Sequence, residues 1–153
     1  PWQEQLLECA EIVGEEEFAK NYINETEEII KNAKSVIEKS DKTYSIFRTN
    51  NKTFINTGDK KYYETFGLKA PKGYPEESRT TLSLETLYNM NPDIIVFQDY
   101  LDMTESFVDS LEKYSVWNEL NAVKNNNVFY FDDSLNTFGP LALRHTAEKL
   151  LDI

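Results

Sequence analysis

The sequence predicts an α/β domain with a mostly parallel sheet, approached through two acidic helices. Three observations predict it. The first 40 residues carry only helical periodicity. From Thr43 onward, short β-type runs alternate with short helical ones, the pattern of strands laid side by side with helices packed over them. One of those runs, Asp93-Ile94-Ile95-Val96-Phe97, is continuously apolar after its aspartate, as expected of a strand covered on both faces.

Each element has a local reason. Trp2, Leu6, Ala10 and Val13 recur at helical spacing, and Gly14 is placed to end that helix. Glu15, Glu16 and Glu17 follow, where a helix N-terminus favours negative charge. Phe18, Tyr22, Ile29, Ala33, Val36 and Ile37 then form one apolar stripe, with Glu27 and Lys31 as a supporting pair, so this helix runs to about Lys39. Residues 44–48 read as a strand, Asn50-Asn51 as a turn, and residues 53–56 as a second short strand. Gly58 and Asp59 open a helix that passes through Phe66 and stops at Gly67. Ser83 caps a helix over Leu84–Met90, which Asn91-Pro92 ends. After the strand at 93–97, Thr104 is expected to cap a helix reaching Leu111. Residues 128–131 form another strand, and Gly139-Pro140 start a last helix to Leu151.

Composition narrows the function. With 153 residues, 40% hydrophobic and 28% charged, the chain suits one globular domain rather than a disordered or disulfide-built one. The net charge is −11, and residues 1–40 hold −6 of it. Such a balance excludes a nucleic-acid grip, which needs a basic stripe. No apolar run is long enough to span a bilayer, and the mean hydropathy is −0.58. Cys9 is the one cysteine, and Leu6-Leu7-Glu8 before it do not suit lipid attachment, so it reads as a small hydrophobe on a helix face. The chain opens on Pro1 rather than methionine and reads as processed or cut, which leaves its compartment illegible from targeting signals.

Chemistry is sparse. A single histidine, His145, rules out a catalytic triad or a multi-histidine zinc site built by this chain alone. No glycine-rich phosphate loop is present. Asp132-Asp133 and Asp99 with Asp102 read as loop caps rather than cation ligands. No catalytic residue, metal site or cofactor is expected, and the chain does not read as an enzyme. What stands out lies at strand ends, where parallel α/β sheets collect ligands. Arg48 ends the first strand, Gln98, Asp99 and Tyr100 follow the 93–97 strand, and Asn136 and Phe138 come shortly after residues 128–131. Arg79 is the second arginine expected near these ends. A guanidinium is a fixed fork of donors suited to oxyanions and to aromatic faces, and pairing with a nearby carboxylate is the structural alternative for each.

Four stretches carry a family resemblance: Tyr62-Tyr63-Glu64-Thr65-Phe66-Gly67-Leu68-Lys69-Ala70-Pro71, Leu82-Ser83-Leu84-Glu85-Thr86-Leu87, Asn91-Pro92-Asp93-Ile94-Ile95-Val96-Phe97, and the segment from Val116-Trp117-Asn118-Glu119-Leu120 to Val128-Phe129. In this order they resemble the C-terminal lobe of substrate-binding proteins that serve bacterial iron–siderophore ABC importers, a group related to haem and cobalamin binders. The resemblance implies a three-layer α/β/α lobe, half of a two-lobed protein. Residues 1–40 would hold N-terminal helices including the interlobe connector, and residues 41–153 the ligand-binding lobe. The ligand would be a ferric siderophore complex held in the cleft, and the partners the missing N-terminal lobe and the ABC permease. The location implied is extracytoplasmic, either periplasmic or lipid-anchored on the outer face of the cell membrane.

The resemblance also assigns residues. Arg48 matches a strand-end arginine facing an anionic iron complex, and Arg79 falls near a second basic position. Glu85 matches the surface glutamate that docks on a permease arginine. Asn136-Thr137-Phe138 departs from the family, several of whose members place a tryptophan there. A ferric tris-catecholate is a compact trianion with an aromatic periphery, so its receptor needs cations ringed by aromatic faces. Arg48, Arg79, Tyr62, Tyr100 and Phe138 are the candidates. The alternatives are a haem or corrinoid cargo, and a self-standing α/β protein-interaction domain. The last predicts no exposed apolar surface on residues 1–40, whereas the lobe reading predicts an exposed stripe including Trp2 and Leu6.

Overall fold

The computed structural model describes residues 1–50, 52–57, 60–98, 103–132 and 138–153. Helix α1 (Trp2–Val13) ends at Gly14, whose φ of 75° is left-handed and suits a residue without a Cβ. Helix α2 (Glu16–Ser40) has 25 residues, a rod of about 37 Å. Strand β1 (Tyr44–Thr49) and strand β2 (Phe54–Asn56) form a hairpin, and helix α3 (Lys60–Phe66) follows. Next come β3 (Thr81–Leu82), α4 (Leu84–Met90), β4 (Ile94–Gln98), α5 (Met103–Leu111), α6 (Ser115–Asn118), α7 (Asn121–Lys124), β5 (Val128–Phe131) and α8 (Pro140–Leu151).

The strands lie in the order β3-β2-β1-β4-β5. β4 pairs parallel with both β1 and β5, while β2 is antiparallel to both β1 and β3. Every strand except β2 therefore points the same way, which is the mostly parallel sheet the sequence predicts. Two apolar clusters cover its faces. Ala33 and Ile37 of α2, Tyr62 and Phe66 of α3, and Leu143 and Ala147 of α8 pack on Tyr44, Ile46, Ile94 and Val96. On the other side, Leu87 of α4, Phe107 and Leu111 of α5, Trp117 of α6 and Ala122 of α7 pack on Phe47, Phe54, Ile95 and Phe97. The result is a three-layer α/β/α sandwich. β4 alternates its side chains between the clusters, so Ile94 to Phe97 are all apolar, and every position of the strand, Gln98 included, is buried.

Some expectations on local structure are met and others corrected. Ser83 caps α4, its Oγ accepting from the Thr86 N–H at 3.1 Å. Thr104 is no cap: α5 begins one residue earlier, and Thr104 is buried inside it. Gly58 and Asp59 lie outside the described residues. The two-residue β3 and the single-turn helices α6 and α7 carry no periodic signal that a sequence reading could detect.

The amino ends of the strands are closed by side chains. The Thr43 N–H and hydroxyl both donate to Asp93 Oδ2, at 2.9 and 2.8 Å, and the Asp93 N–H donates back to Thr43 Oγ1 at 3.1 Å. Asn127 Nδ2 donates to the Asp93 carbonyl at 3.2 Å. Because β2 stops at Asn56, the first half of β1 lacks a strand on that side. Two tyrosines serve its carbonyls there: the Tyr63 hydroxyl donates to the Tyr44 carbonyl at 2.9 Å, and the Tyr74 hydroxyl joins the Thr57 N–H at the Ile46 carbonyl, at 2.8 and 3.2 Å. Burial first, and then the neighbouring Tyr74, hold the Tyr63 phenol well above its ordinary range.

Candidate functional site

The carboxyl ends of β1, β4 and β5 form a rim, and strand alternation decides what they present. Tyr44 and Ile46 face the α2–α3–α8 layer, so Arg48, two residues on, points the same way. The β1–β4 register, with Phe47 opposite Phe97, puts Arg48 level with Gln98, and Gln98 is in turn opposite Phe131. Arg48, Gln98 and Phe131 thus form one row across three strands at the rim. Gln98 is within β4 and only 1% exposed, not in the following loop as the sequence suggests. Arg48 is half-buried.

A second layer stands over this row. Phe138, just before α8, packs on Tyr62 of α3 with ring centroids 4.5 Å apart, and Tyr62 stacks in turn on Phe66 at 6.1 Å. Tyr62 is 4% exposed and belongs to the core. Of this pair it is therefore Phe138, half-buried, that keeps an accessible face. Lys61 Nζ lies 5.9 Å from the Phe138 centroid. Sequence reasoning missed Lys61, because nothing local links it to a ring 77 positions away. Tyr100 and Asn136, both expected here, lie outside the described residues, as do Asp99, Asp102 and Asp133.

Arg79 is held differently. It is exposed, sits at the amino end of β3, and has a left-handed φ of 66°, a conformation that disfavours a residue with a Cβ. Asn56 pins its loop: Nδ2 donates to the carbonyls of Pro75 and Glu77 at 3.3 and 2.9 Å, and Oδ1 accepts from the Thr80 N–H at 2.6 Å. The Arg79 N–H also donates to the Asn56 carbonyl at 2.8 Å. By register its backbone is further from the rim than that of Arg48, with β2 between them. Asn56 was missed as well, although an asparagine inside a β run is a usable signal.

Several other charged groups among the described residues are tied into the fold. Asp132, after β5, meets His145 Nε2 at 2.7 Å and Lys149 Nζ at 3.6 Å. That use of both side chains leaves His145 as a surface partner. Among the described residues no group of three or more His, Cys, Asp or Glu is placed to hold a metal ion. Arg144, the third arginine, joins α8 to α2 through Glu25 at 3.1 Å, pairs with Glu148 of its own helix at 3.2 Å and lies 5.0 Å from the Tyr22 ring centroid. Glu148, followed by Glu25, holds its guanidinium above the ordinary value. Glu85 is exposed in the first turn of α4. A groove of about 540 Å³ opens beside α3, floored by Tyr63 and Tyr74 and rimmed by Lys60, Glu64 and Glu76.

Beside the rim, apolar surface is uncovered. Ile12 is 85% and Phe18 66% exposed, and Val13 and Leu141 are exposed with them. Phe18 stacks on Tyr22 at 6.3 Å, and the Tyr22 hydroxyl approaches the Pro140 carbonyl at 3.5 Å. These contacts connect the α1–α2 corner to the start of α8. Trp2 and Leu6 were expected to carry the exposed stripe, but both are half-buried and Trp2 packs against the core. α1 turns that side onto the body, and its later residues face outward.

A family model described as periplasmic binding protein matches residues 1–135. The iron(3+)-hydroxamate-binding protein FhuD of Bacillus subtilis (strain 168) is 31% identical over 90% of this chain and 50% of its own length. The iron-uptake system-binding protein of the same organism is 30% identical over 95% of this chain and 48% of its own. The chain spans about half the length of these curated relatives. Among solved structures, the triscatecholate siderophore binding protein FeuA of Bacillus subtilis, complexed with ferri-bacillibactin, matches 99% of this chain and 59% of its own, at 28% identity and a TM-score of 0.73.

Proposed function

This chain belongs to the periplasmic binding protein family, and from that premise we propose that it is the C-terminal lobe of the substrate-binding component of an ABC importer for iron–siderophore complexes. The ferric siderophore is held at the carboxyl rim, in a cleft closed by a preceding lobe. The observation that carries this reading is the rim: Arg48 at the end of β1 shares a face with the Tyr62–Phe138 aromatic layer. A cation beside an accessible ring suits an anionic complex with an aromatic periphery. The names of the relatives support the same class of ligand. Arg79, on its pinned loop, and Tyr100 complete the proposed ligand face.

The apolar band from Ile12 and Phe18 to Leu141 supports a lobed receptor over a self-standing domain, since exposed apolar area rimming a site marks a surface that is normally covered. In this reading residues 1–40 include the connector to the other lobe and residues 41–153 form the ligand-binding lobe. Capture needs no covalent step, so no residue here is assigned a catalytic role. The importer reading places the protein outside the cytoplasm, in a periplasm or lipid-anchored on the outer face of the membrane. No helix among the described residues is long and apolar enough to cross a membrane.

The test is a titration of the two-lobed protein with ferric catecholate and ferric hydroxamate siderophores, following tryptophan fluorescence. Quenching at sub-micromolar ligand is expected, and no response to any siderophore would sink the proposal. Docking is assigned to Glu85, whose carboxylate is free of any role in the rim. Glu85→Ala should leave affinity unchanged and impair uptake in cells. Wild-type uptake by that variant would remove Glu85 from the docking surface.

A further inference from the structure

The groove beside α3 lies apart from the rim. Helix α3 forms one wall and the segment from Ala70 to Glu76 the other, and none of the rim residues Arg48, Gln98, Phe131 and Phe138 lines it. Its volume of about 540 Å³ falls within the roughly 300–1,000 Å³ usual for small-molecule sites. We propose that this groove binds a small organic cation, an ammonium group carried on an apolar body, independently of any siderophore at the rim.

The floor is aromatic and uncharged. Tyr63 and Tyr74 meet there with ring centroids 5.5 Å apart, beside Leu68. Both hydroxyls are committed to carbonyls of β1, so what the groove offers an occupant is ring surface. Burial keeps the Tyr63 phenol protonated near neutral pH, and a neutral ring face attracts a cation. The second wall is pre-formed. Gly73 turns with a left-handed φ of 87°, the Tyr74 N–H donates to the Pro71 carbonyl at 3.1 Å, and Asn56 Nδ2 holds the Pro75 carbonyl at 3.3 Å. Charge at the mouth sets the sign of the ligand. Two carboxylates, Glu64 and Glu76, stand against one ammonium, Lys60. Lys60 lies 3.7 Å from Glu64, but the two side chains are 83% and 66% exposed, and so open a pair is weak enough for an incoming cation to displace. Glu76, on the other wall, is exposed as well.

The test uses the two-lobed protein with benzyltrimethylammonium as the cation and benzyl alcohol as the neutral comparison, followed by NMR of isotope-labelled tyrosine rings. The ammonium should shift Tyr63 and Tyr74 and bind about tenfold more tightly than the alcohol. Glu76→Gln should weaken the ammonium about threefold, and Lys60→Gln, which removes the competing charge, should tighten it by about as much. Both side chains are exposed, so melting of the variants should match the wild type. No tyrosine shift with the ammonium, equal affinity for the alcohol, unchanged affinity in Glu76→Gln or weaker affinity in Lys60→Gln overturns the proposal. A shift confined to Tyr62 also overturns it, since that would put the cation at the rim. The inference does not rest on the siderophore reading: Glu76→Gln should bind ferric siderophores as the wild type does, so either conclusion can fail alone.

Discussion

At the amino ends of β1 and β4, Thr43 and Asp93 exchange three hydrogen bonds and Asn127 ties down the Asp93 carbonyl. At the carboxyl ends of the same strands, Arg48 and Gln98 lie level on one face of the sheet, the face that also carries the Tyr62–Phe138 ring pair. Short polar side chains turned onto the backbone stabilise a fold, because each satisfies a group that burial would otherwise strand. A guanidinium at a strand end presents instead a fixed fork of donors suited to oxyanions and aromatic faces. The difference separates an end whose polar side chains are turned onto the backbone from the end that the siderophore reading gives to a ligand.

The comparison breaks if stability and affinity do not separate between the two ends. The largest expected effect is at the amino end. Asp93→Ala strands the Thr43 N–H and hydroxyl and should cost about 2 kcal/mol in chemical denaturation, with ligand affinity in the two-lobed protein unchanged. A loss of affinity comparable to the loss of stability would show that the two ends are coupled. At the rim the order reverses. Arg48→Ala should weaken an anionic ferric siderophore at least about tenfold, about 1.4 kcal/mol, while the unfolding midpoint stays near the wild type. If affinity is unchanged, Arg48 is not a ligand contact.

The smallest effect sharpens the comparison through pH. The Tyr63 phenol is held above the ordinary value of 10.0, chiefly by burial. A folded-state value above the unfolded one gives stability that is complete below pH 10 and is lost as pH rises through the folded value. Melting temperatures should therefore fall on the alkaline side. Tyr63→Phe cannot ionise and should flatten that fall, at a cost of about 1 kcal/mol near neutrality for the lost bond to the Tyr44 carbonyl. An unchanged alkaline fall in the variant would assign it to other groups.

Most of the fold was legible because its signals are local. The continuous run of β4, the Ser83 cap and the left-handed Gly14 and Gly67 each act within a few residues. The single-turn helices α6 and α7 and the two-residue β3 are too short to show a period, and tertiary packing alone defines them. The site was legible only in part. Arg48 could be placed at a strand end from its own neighbourhood. Gln98 was expected at a strand end, though just beyond β4 rather than inside it, and Lys61 was not singled out, since its ring contact, Phe138, is 77 positions away. Trp2 and Leu6 were misjudged for a related reason: amphipathic spacing gives a helix an apolar face and does not say which neighbour will cover it.

The strand order has one more consequence. The outermost strands, β3 and β5, contain two and four residues, while the longest strands lie inside, between partners. An intruding chain seeking to extend the sheet would find only a few backbone groups to pair with at either side, too few to offset its own ordering. Short flanks of this kind guard against runaway strand addition, so a lobe that leaves apolar surface beside its rim need not thereby become a seed for aggregation.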